Sequence, residues 1–439
     1  MDVIIVGAGP TGVTFGAALA RRGHRVVAVD RDPGPAGGGL WRRRGVMQFD
    51  HPHGFRPQVR NLLLAEWPEA WQAWVDRGAE PFDLPSPGAA RPAIGVRSRR
   101  STYERALRRA AADVDVLTLA SGHVTGVVEF DDRVVGAVVD GATVEADLVV
   151  DAGGRVSRLS PPGEADVTAD TGMAYVTRTY RRHDGAGLGP MTRPVAWAGI
   201  FDGYLVLVFP HEHGHFSVVI VGPTADGSLT LLRHLDAFEA ACRAIPGLSE
   251  WTDPALAVPT SGVLVGGRLH NSYRPQRGRP GLVTVGDSVA TTAPTAGRGV
   301  AMASLQIEAL VRLLDAGADP LTAADPFGAW CDASIRPWVD DHFAVDAEAV
   351  RLWQGDDIDP TDPLTSAAIV AAVEADKRIA PHLGGYLEMS ALPVSLAPAE
   401  SLARAVYDSG WRQPYSDGPT RNELVDLLQR AVVGFRRGA

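Results

Sequence analysis

Apolar residues first cluster at positions 3–6 (VIIV), a run too short for a helix and apolar on both faces, so a buried strand is predicted. The glycine-rich turn GAGPTG follows. VTFGAALARRG then carries helical spacing to Gly23, and HRVVAVD gives a second strand ending at Asp30. This is a βαβ beginning. Residues 33–56 lose periodicity and are rich in Gly, Pro and Arg, and loops of that length inside a domain are usually functional. PQVRNLLLAEWPEAWQAWVDRG reads as largely helical and RRSTYERALRRAAA as a helix. Three β-like stretches come next: DVLTLASGHVTGVVEF, RVVGAVVD and ATVEADLVVDAGG. From about 172 to 222 the period becomes two, in MAYVTRTYRR, PVAWAGIFD, GYLVLVFP and HFSVVIVG, which predicts a separate antiparallel sheet. A helix near 229–244 and a strand near 257–270 lead to a late strand, turn and helix entry, VGDSVATTAPTAGRGVAMA (285–303), and the chain past 316 is mostly helical.

The expected class is α/β. A discontinuous nucleotide-binding domain takes 1–170 and 258–315, an inserted sheet domain takes 171–257, and a helical region takes 316–439. At 439 residues, 45% hydrophobic and 21% charged, the chain can fill two or three cores. A net charge of −10 argues against a nucleic-acid partner, although Arg42, Arg43 and Arg44 cluster locally. The two cysteines, Cys242 and Cys331, form no C-x-x-C, so neither a disulfide framework nor a redox dithiol is indicated. No apolar run approaches the ~18 residues of a membrane span. With the first strand beginning at Asp2 there is no room for a signal peptide, and a cytoplasmic location is expected.

Gly7-x-Gly9-x-x-Gly12, with Pro10 and Thr11 inside the turn, follows a strand and opens a helix. Its backbone can pass close to a pyrophosphate while the helix N-terminus offers free N–H groups. Asp30, followed by Arg31, closes the second strand where a carboxylate accepts hydrogen bonds from an adenosine ribose. This motif alone does not choose between NAD and FAD.

With Gly286-Asp287, Pro294 and Gly297-Arg298-Gly299 added, residues 1 to about 310 resemble the single-component (group A) FAD-dependent monooxygenases, nearest their squalene-epoxidase-like and halogenase-related branch. The resemblance implies a Rossmann-like, p-hydroxybenzoate-hydroxylase-like FAD-binding domain, an inserted antiparallel substrate sheet and a helical C-terminal region. It also implies one non-covalent FAD held from both ends of the chain. The first loop would take the pyrophosphate, Asp287 the ribityl chain, and the helix entered at Gly299 the ring, where a helix N-terminus favours the negative charge of reduced flavin. DLVVDAGGRVSR resembles the family's middle motif in its D-A-S/T-G-R form, which makes Asp151 and Gly154 candidate FAD contacts. RRGVMQFDHPH is similar to R-x-G-V-x-Q-x-x-H-x-H, with Arg43, Val46, Gln48, His51 and His53 in register. RRSTYERAL is similar to the family's R-x-x-L/Y-E helix start, which brings Arg100 toward the cofactor. Val124 completes the candidate cofactor contacts. Gln48, His51 and His53 are the candidates for proton transfer.

The activity so implied is a monooxygenase in which NAD(P)H, bound transiently, reduces FAD, O2 adds to give a flavin C4a-hydroperoxide, and an apolar, middle-sized substrate is hydroxylated or epoxidised. The substrate would lie under the 172–222 sheet, near Tyr175, Trp197, Phe209 and Pro210. A C=C reductase of the geranylgeranyl-reductase type is the alternative. Halogenation is disfavoured, because the W-x-W-x-I-P strand of flavin-dependent halogenases reads Leu205-Val206-Leu207-Val208-Phe209-Pro210 here and the only lysine is Lys377. His211, His213 and His215, around Glu212, read as solvated residues at a hairpin tip, and no metal site is expected.

Overall fold

Val3, Ile4 and Ile5 are almost wholly buried because their strand, Asp2–Val6, is the centre of a five-stranded parallel sheet. The order across it is Leu282–Thr284, Leu148–Asp151, Asp2–Val6, Arg25–Asp30, Leu117–Ser121. Every neighbouring pair is parallel. Strands covered on both faces read as continuous apolar runs, which is why VIIV and LVVD do not alternate. Helix Pro10–Ala20 is buried from Gly12 to Ala20 and packs against helices Arg100–Ala111 and Gly299–Asp315. The fold is α/β with a Rossmann-type domain built on this parallel sheet. The computed structural model describes residues 1–37, 39, 41–43, 45–84, 92–159, 163, 166–267 and 269–438; Arg44 of the arginine cluster lies outside them.

The stretch 57–75 is helical in two pieces, Pro57–Glu66 and Pro68–Val75, because a proline disfavours helical geometry at the residue before it, here Trp67. Strands Val124–Phe130, Arg133–Val139 and Ala142–Glu145 form an antiparallel meander. Its Val134 packs on Val149 and Leu282 and so covers one edge region of the parallel sheet.

The period-two segment forms a six-stranded antiparallel sheet of Trp197–Phe201, Tyr204–Pro210, His215–Pro223, Met173–Arg182, Ala257–Pro259 and Leu264–Gly266. The region expected to be one strand near 257–270 is three short ones. The first two pair with Met173–Arg182 and the third, His270–Tyr273, joins a different sheet. The six-stranded sheet therefore extends past the expected boundary at 258, to Gly266.

Alternation gives this sheet two faces. The outer face, with Val176, Tyr180, Val206, Val208, Phe216, Val218 and Ile220, is closed by helices Leu235–Ala244 and Pro246–Thr252 and by Leu424 and Leu428 of the last helix, Arg421–Gly438. On the inner face lie Met173, Tyr175, Val219 and Val221, with Leu205, Leu207 and Phe209 only partly buried. Helix Arg336–Trp353 covers part of that face through Ala349, Val350 and Trp353. Cys242 and Cys331 are both free and buried. Among the described residues no helix is long and apolar enough to cross a membrane.

Candidate functional site

Four strands of the parallel sheet deliver their carboxyl ends to one place, the position at which open α/β sheets bind ligands. Gly7 follows the first, Asp30 ends the second, Asp151 ends the Leu148–Asp151 strand, and Gly286 follows Leu282–Thr284. The loops they begin touch one another. Gly7 has φ 101°, its N–H donates to Val29 O at 2.7 Å, and a methyl group there would come within 2.4 Å of the Ala152 carbonyl oxygen. A methyl on Gly12 would lie 1.9 Å from the Gly7 carbonyl oxygen. Gly286, at φ 70°, abuts Thr11 so closely that an added Cβ would stand 3.0 Å from the threonine side chain. Stretches some 270 residues apart thus form one wall, and only glycine lets them approach.

Asp151 ties the middle motif to the late one. Fully buried, its carboxylate accepts from Gly153 N (2.9 Å), from the Ser157 hydroxyl (2.7 and 2.8 Å) and from the Ser288 hydroxyl (3.4 Å). Burial raises its pKa, and these donors pull it partly back. Its oxygens are occupied by protein, so Asp151 positions loops and, contrary to expectation, is not a free cofactor contact. Gly154, with φ 77°, has nothing near the position a side chain would take and borders open space.

Asp287 is the opposite case. Its side chain is solvent-accessible yet enclosed by protein, and its carboxylate accepts no hydrogen bond from any described residue; only its backbone carbonyl is engaged, by Thr291. Enclosure raises its pKa while Arg100 and Arg155 draw it back. Gly299, opening the helix Gly299–Asp315, lies beside it, with a built Cβ 4.0 Å from Asp287 Oδ1. That helix has no side-chain cap, so its first N–H groups are free for a ligand. Pro294 starts the turn Pro294–Ala296, and Gly297 (φ 60°) faces Gly54, while Arg56 donates to Ala296 O at 2.7 Å. Arg298 does not face the cleft. It is 5% exposed, donates to Asp341 (2.6 Å) and to the Tyr386 hydroxyl, and lies over the Trp338 ring. The expected cofactor contact is thus an anchor that pins the glycine turn to the helical region.

At the other end, Asp30 accepts from Ala8 N and Asp32 N, both at 2.9 Å, and is ion-paired with Arg43. Arg43 is buried and reaches Glu104 with its other terminal nitrogen. Glu104 also receives Arg100 Nε at 2.6 Å. Glu104 is therefore the hub that holds two arginines across the mouth of the first loop. The Arg43 guanidinium stands 3.4 Å from where a Gly9 side chain would be. Sequence reasoning missed Glu104, although its signal was visible as an Arg-x-x-x-Glu pair on one helix face. Gly122 N donates to Asp30 O at 2.9 Å, which puts Val124 two residues beyond this contact; Val46 begins a turn with its carbonyl accepting from Phe49 N. A cleft of about 600 Å³ opens beyond Asp30, lined by Arg31, Asp32, Pro33, Gly34, Trp41, Arg42 and Gly45.

The donors present fit FAD. The helix Pro10–Ala20 has no side-chain cap, and Arg43 and Arg108 each keep a buried Nε with no partner, a set suited to a pyrophosphate dianion. The unengaged Asp287 carboxylate suits a polyhydroxylated chain.

The candidate proton-transfer residues divide. His53 donates from Nδ1 to the His51 carbonyl (3.0 Å) and accepts at Nε2 from Arg100 (3.3 Å). Burial, with Arg100 next to it, lowers its pKa to about 3, so the ring is neutral near pH 7 and its Nε2 accepts from Arg100 instead of carrying a second proton. His51 is buried against Tyr175, ring centroids 4.8 Å apart, bonds the Thr177 hydroxyl at 2.9 Å, and is pushed by burial to about 4. Gln48 lies beside Tyr175.

The substrate candidates lie on opposite faces of the sheet. Tyr175 and Phe209 are on the inner face. Trp197 is in the outer core, pressed against Gly247, and Pro210 pairs with Phe216 of that core, so neither lines the inner cleft. The histidine hairpin also departs from expectation. His211 is buried and bonds the Ser217 hydroxyl at 2.9 Å, and Glu212 is fully buried, accepting from Arg99 N and Nε (2.7 Å each) and from Thr102. Glu212 thereby fastens the hairpin to the start of the Arg100–Ala111 helix. Among the described residues no group of three or more His, Cys, Asp or Glu could hold a metal ion.

Residues 2–120 match the family model described as FAD dependent oxidoreductase, the stretch that holds the first βαβ unit and the Arg100–Ala111 helix. An opine oxidase subunit of Rhizobium meliloti (strain 1021) is 37% identical over 83 residues, a match spanning 17% of this chain and 18% of that relative. Among the solved structures that share the fold are three flavin-dependent proteins. The flavin-dependent halogenase CmlS is 19% identical with a TM-score of 0.63, covering 93% of this chain and 77% of that one. The flavin-dependent brominase Bmp2 is 16% identical at TM-score 0.59, with both chains covered in full. PqsL, a probable FAD-dependent monooxygenase from Pseudomonas aeruginosa, is 15% identical at TM-score 0.59 and covers 81% of this chain and 100% of its own.

Proposed function

We propose that this chain is a monooxygenase that consumes NAD(P)H and O2, places one oxygen atom on an apolar, middle-sized organic substrate by hydroxylation or epoxidation, and releases the other as water. The observation that carries this reading is the position of Asp287, a carboxylate without a hydrogen-bond partner among the described residues, next to the Gly286–Thr11 contact of the two glycine loops and beside an uncapped helix N-terminus. Bound FAD supplies the two-electron chemistry that takes hydride from the nicotinamide and passes electrons to O2. Thr11, Gly12 and the guanidinium of Arg43 hold the pyrophosphate, Asp30 with the cleft beyond it receives the adenosine end, and Asp287 binds the ribityl hydroxyls. The uncapped amides at Gly299 and Val300 would favour negative charge on a flavin ring bound against them. Leu205, Leu207 and Phe209 exclude water from the reacting atoms, and Tyr175 with Gln48 orients the substrate.

The structural neighbours that carry the word halogenase do not redirect the reading. Leu205 and Leu207 stand on the inner face where that strand pattern has tryptophans, and Lys377 is exposed on the turn Lys377–His382. Turnover under heavy-isotope O2 tests the proposal. One labelled oxygen atom in the product is expected. Conversion under argon to a product two hydrogens heavier, without label in air, would overturn it in favour of C=C reduction.

A further inference from the structure

Two polar groups near the middle motif and the inner sheet face make no direct ion pair or close hydrogen bond through their side-chain polar ends to any described carboxylate or hydroxyl. The first is the guanidinium of Arg155, which follows directly on the middle motif. It is half-buried and makes no ion pair with any described carboxylate; its side-chain contact is Nη2 to the Met47 sulfur at 3.6 Å, and its own carbonyl is held by Arg274 at 3.2 Å. The second is the hydroxyl of Tyr175. This residue is 4% exposed, and its hydroxyl lies beside the Gln48 side chain without making a close hydrogen bond to any described residue. The ring cannot swing away, since His51 packs edge-on against it at 4.8 Å and a side chain on Gly266 would come within 2.3 Å of its Cζ. Met47 and Gln48 are adjacent on one turn, so the groups that touch Arg155 and Tyr175 are neighbours in the chain. Met47, next to Gln48, and Val156, next to Arg155, are exposed, and Leu205, Leu207 and Phe209 are partly open on the inner sheet face.

Arg155 has no carboxylate in direct contact, Asp287 acting on it only at a distance, and the Tyr175 hydroxyl has no close partner, so one anion can be shared between the two groups. We infer that the substrate is an organic acid whose carboxylate is taken by Arg155 and the Tyr175 hydroxyl while its apolar body lies along Leu205, Leu207 and Phe209. Arg155 supplies a charge-assisted hydrogen bond and Tyr175 a neutral one, so the arginine carries most of the selection for an acid over its amide or ester. This inference rests on the inner face being the substrate site. The same anion chemistry could instead be offered by a phosphate of the nicotinamide nucleotide, and the test has an arm for each source.

The FAD-loaded protein is titrated with a series of arylalkanoic acids of increasing chain length and with the matching primary amides, binding being read from the flavin absorption spectrum without turnover. NADPH and inorganic phosphate are titrated in parallel. At least one acid should bind about tenfold or more tighter than its amide. R155Q should abolish that preference, R155K should keep part of it, and Y175F should weaken the acid about tenfold while leaving the amide nearly unchanged. FAD content and melting temperature of each variant show that the fold is intact. Acid and amide binding alike, no acid binding at all, or R155Q weakening NADPH or phosphate but no acid would each overturn the inference. Because no turnover is involved, acid recognition stands if oxygen transfer fails, and oxygen transfer stands if acid recognition fails.

Discussion

Glu104→Gln should damage the protein far more than its conservative chemistry suggests. The side chain is 2% exposed and joins Arg43 and Arg100, themselves 4% and 16% exposed. Removing its charge leaves two cations in a poorly solvated place with Asp30 as the remaining carboxylate on Arg43. Breaking a buried pair at one partner costs ~3–5 kcal/mol; with Asp30 retained and one amide oxygen still able to accept, the lower end, ~3 kcal/mol, is expected. Glu308→Gln is the matched control. It too ends an Arg–Glu pair four residues apart on a helix, but its partners are 46% and 67% exposed, and such pairs are worth only ~0.3–0.5 kcal/mol. Urea unfolding of the FAD-free forms, followed by near-ultraviolet circular dichroism, compares the two. Should Glu104→Gln fall within ~1 kcal/mol of Glu308→Gln, the hub role assigned to Glu104 is wrong.

Asp287→Ala should weaken FAD binding about tenfold or more without lowering the stability of the apoprotein, whereas Asp151→Asn should cost ~1–3 kcal/mol of stability and affect FAD less; the reverse ranking, read by flavin titration and melting, would exchange their roles. Trp197→Ala should cost ~3–5 kcal/mol with the KM of the surviving enzyme unchanged, while Phe209→Ala should raise KM at nearly unchanged melting temperature. His51, His53 and His211 are held neutral by burial, at pKa values of about 4, about 3 and about 4 against 6.5 for the free side chain. The unfolded chain takes up these protons first, so stability is full above pH about 6.5 and falls as pH drops from there toward about 4. A urea midpoint that stays level between pH about 7 and about 5 would contradict this.

The glycine loops were legible because their chemistry is local: a turn that only glycine can make announces itself in six residues, as at Gly7–Gly12 and Gly297–Gly299. Pairings across the chain were not. Nothing near Arg43 shows that it will meet Asp30 and Glu104, since that depends on how the unpatterned loop 33–56 folds back over the sheet. Arg298 looked like a cofactor contact from its place between two glycines, but its side chain turns toward Asp341, on a helix the motif does not foresee. For the sheet, the period of two identified the strands but not which parity faces inward. Trp197 pairs with Val208, one residue out of step with Leu207 and Phe209, and so takes the outer face with Pro210. The histidine hairpin looked solvated because turns usually are, and the burial of His211 and Glu212 comes from Arg99 and Thr102, more than a hundred residues earlier.

The central claim is that both ends of the nucleotide-binding region grip one FAD. Denaturing the purified protein, chromatographing the released chromophore and counting it against protein tests this most directly. Intact FAD is expected, close to one per chain, released without covalent attachment and sharply reduced in Asp287→Ala. FMN in its place, or no flavin retained after reconstitution with FAD, would contradict it.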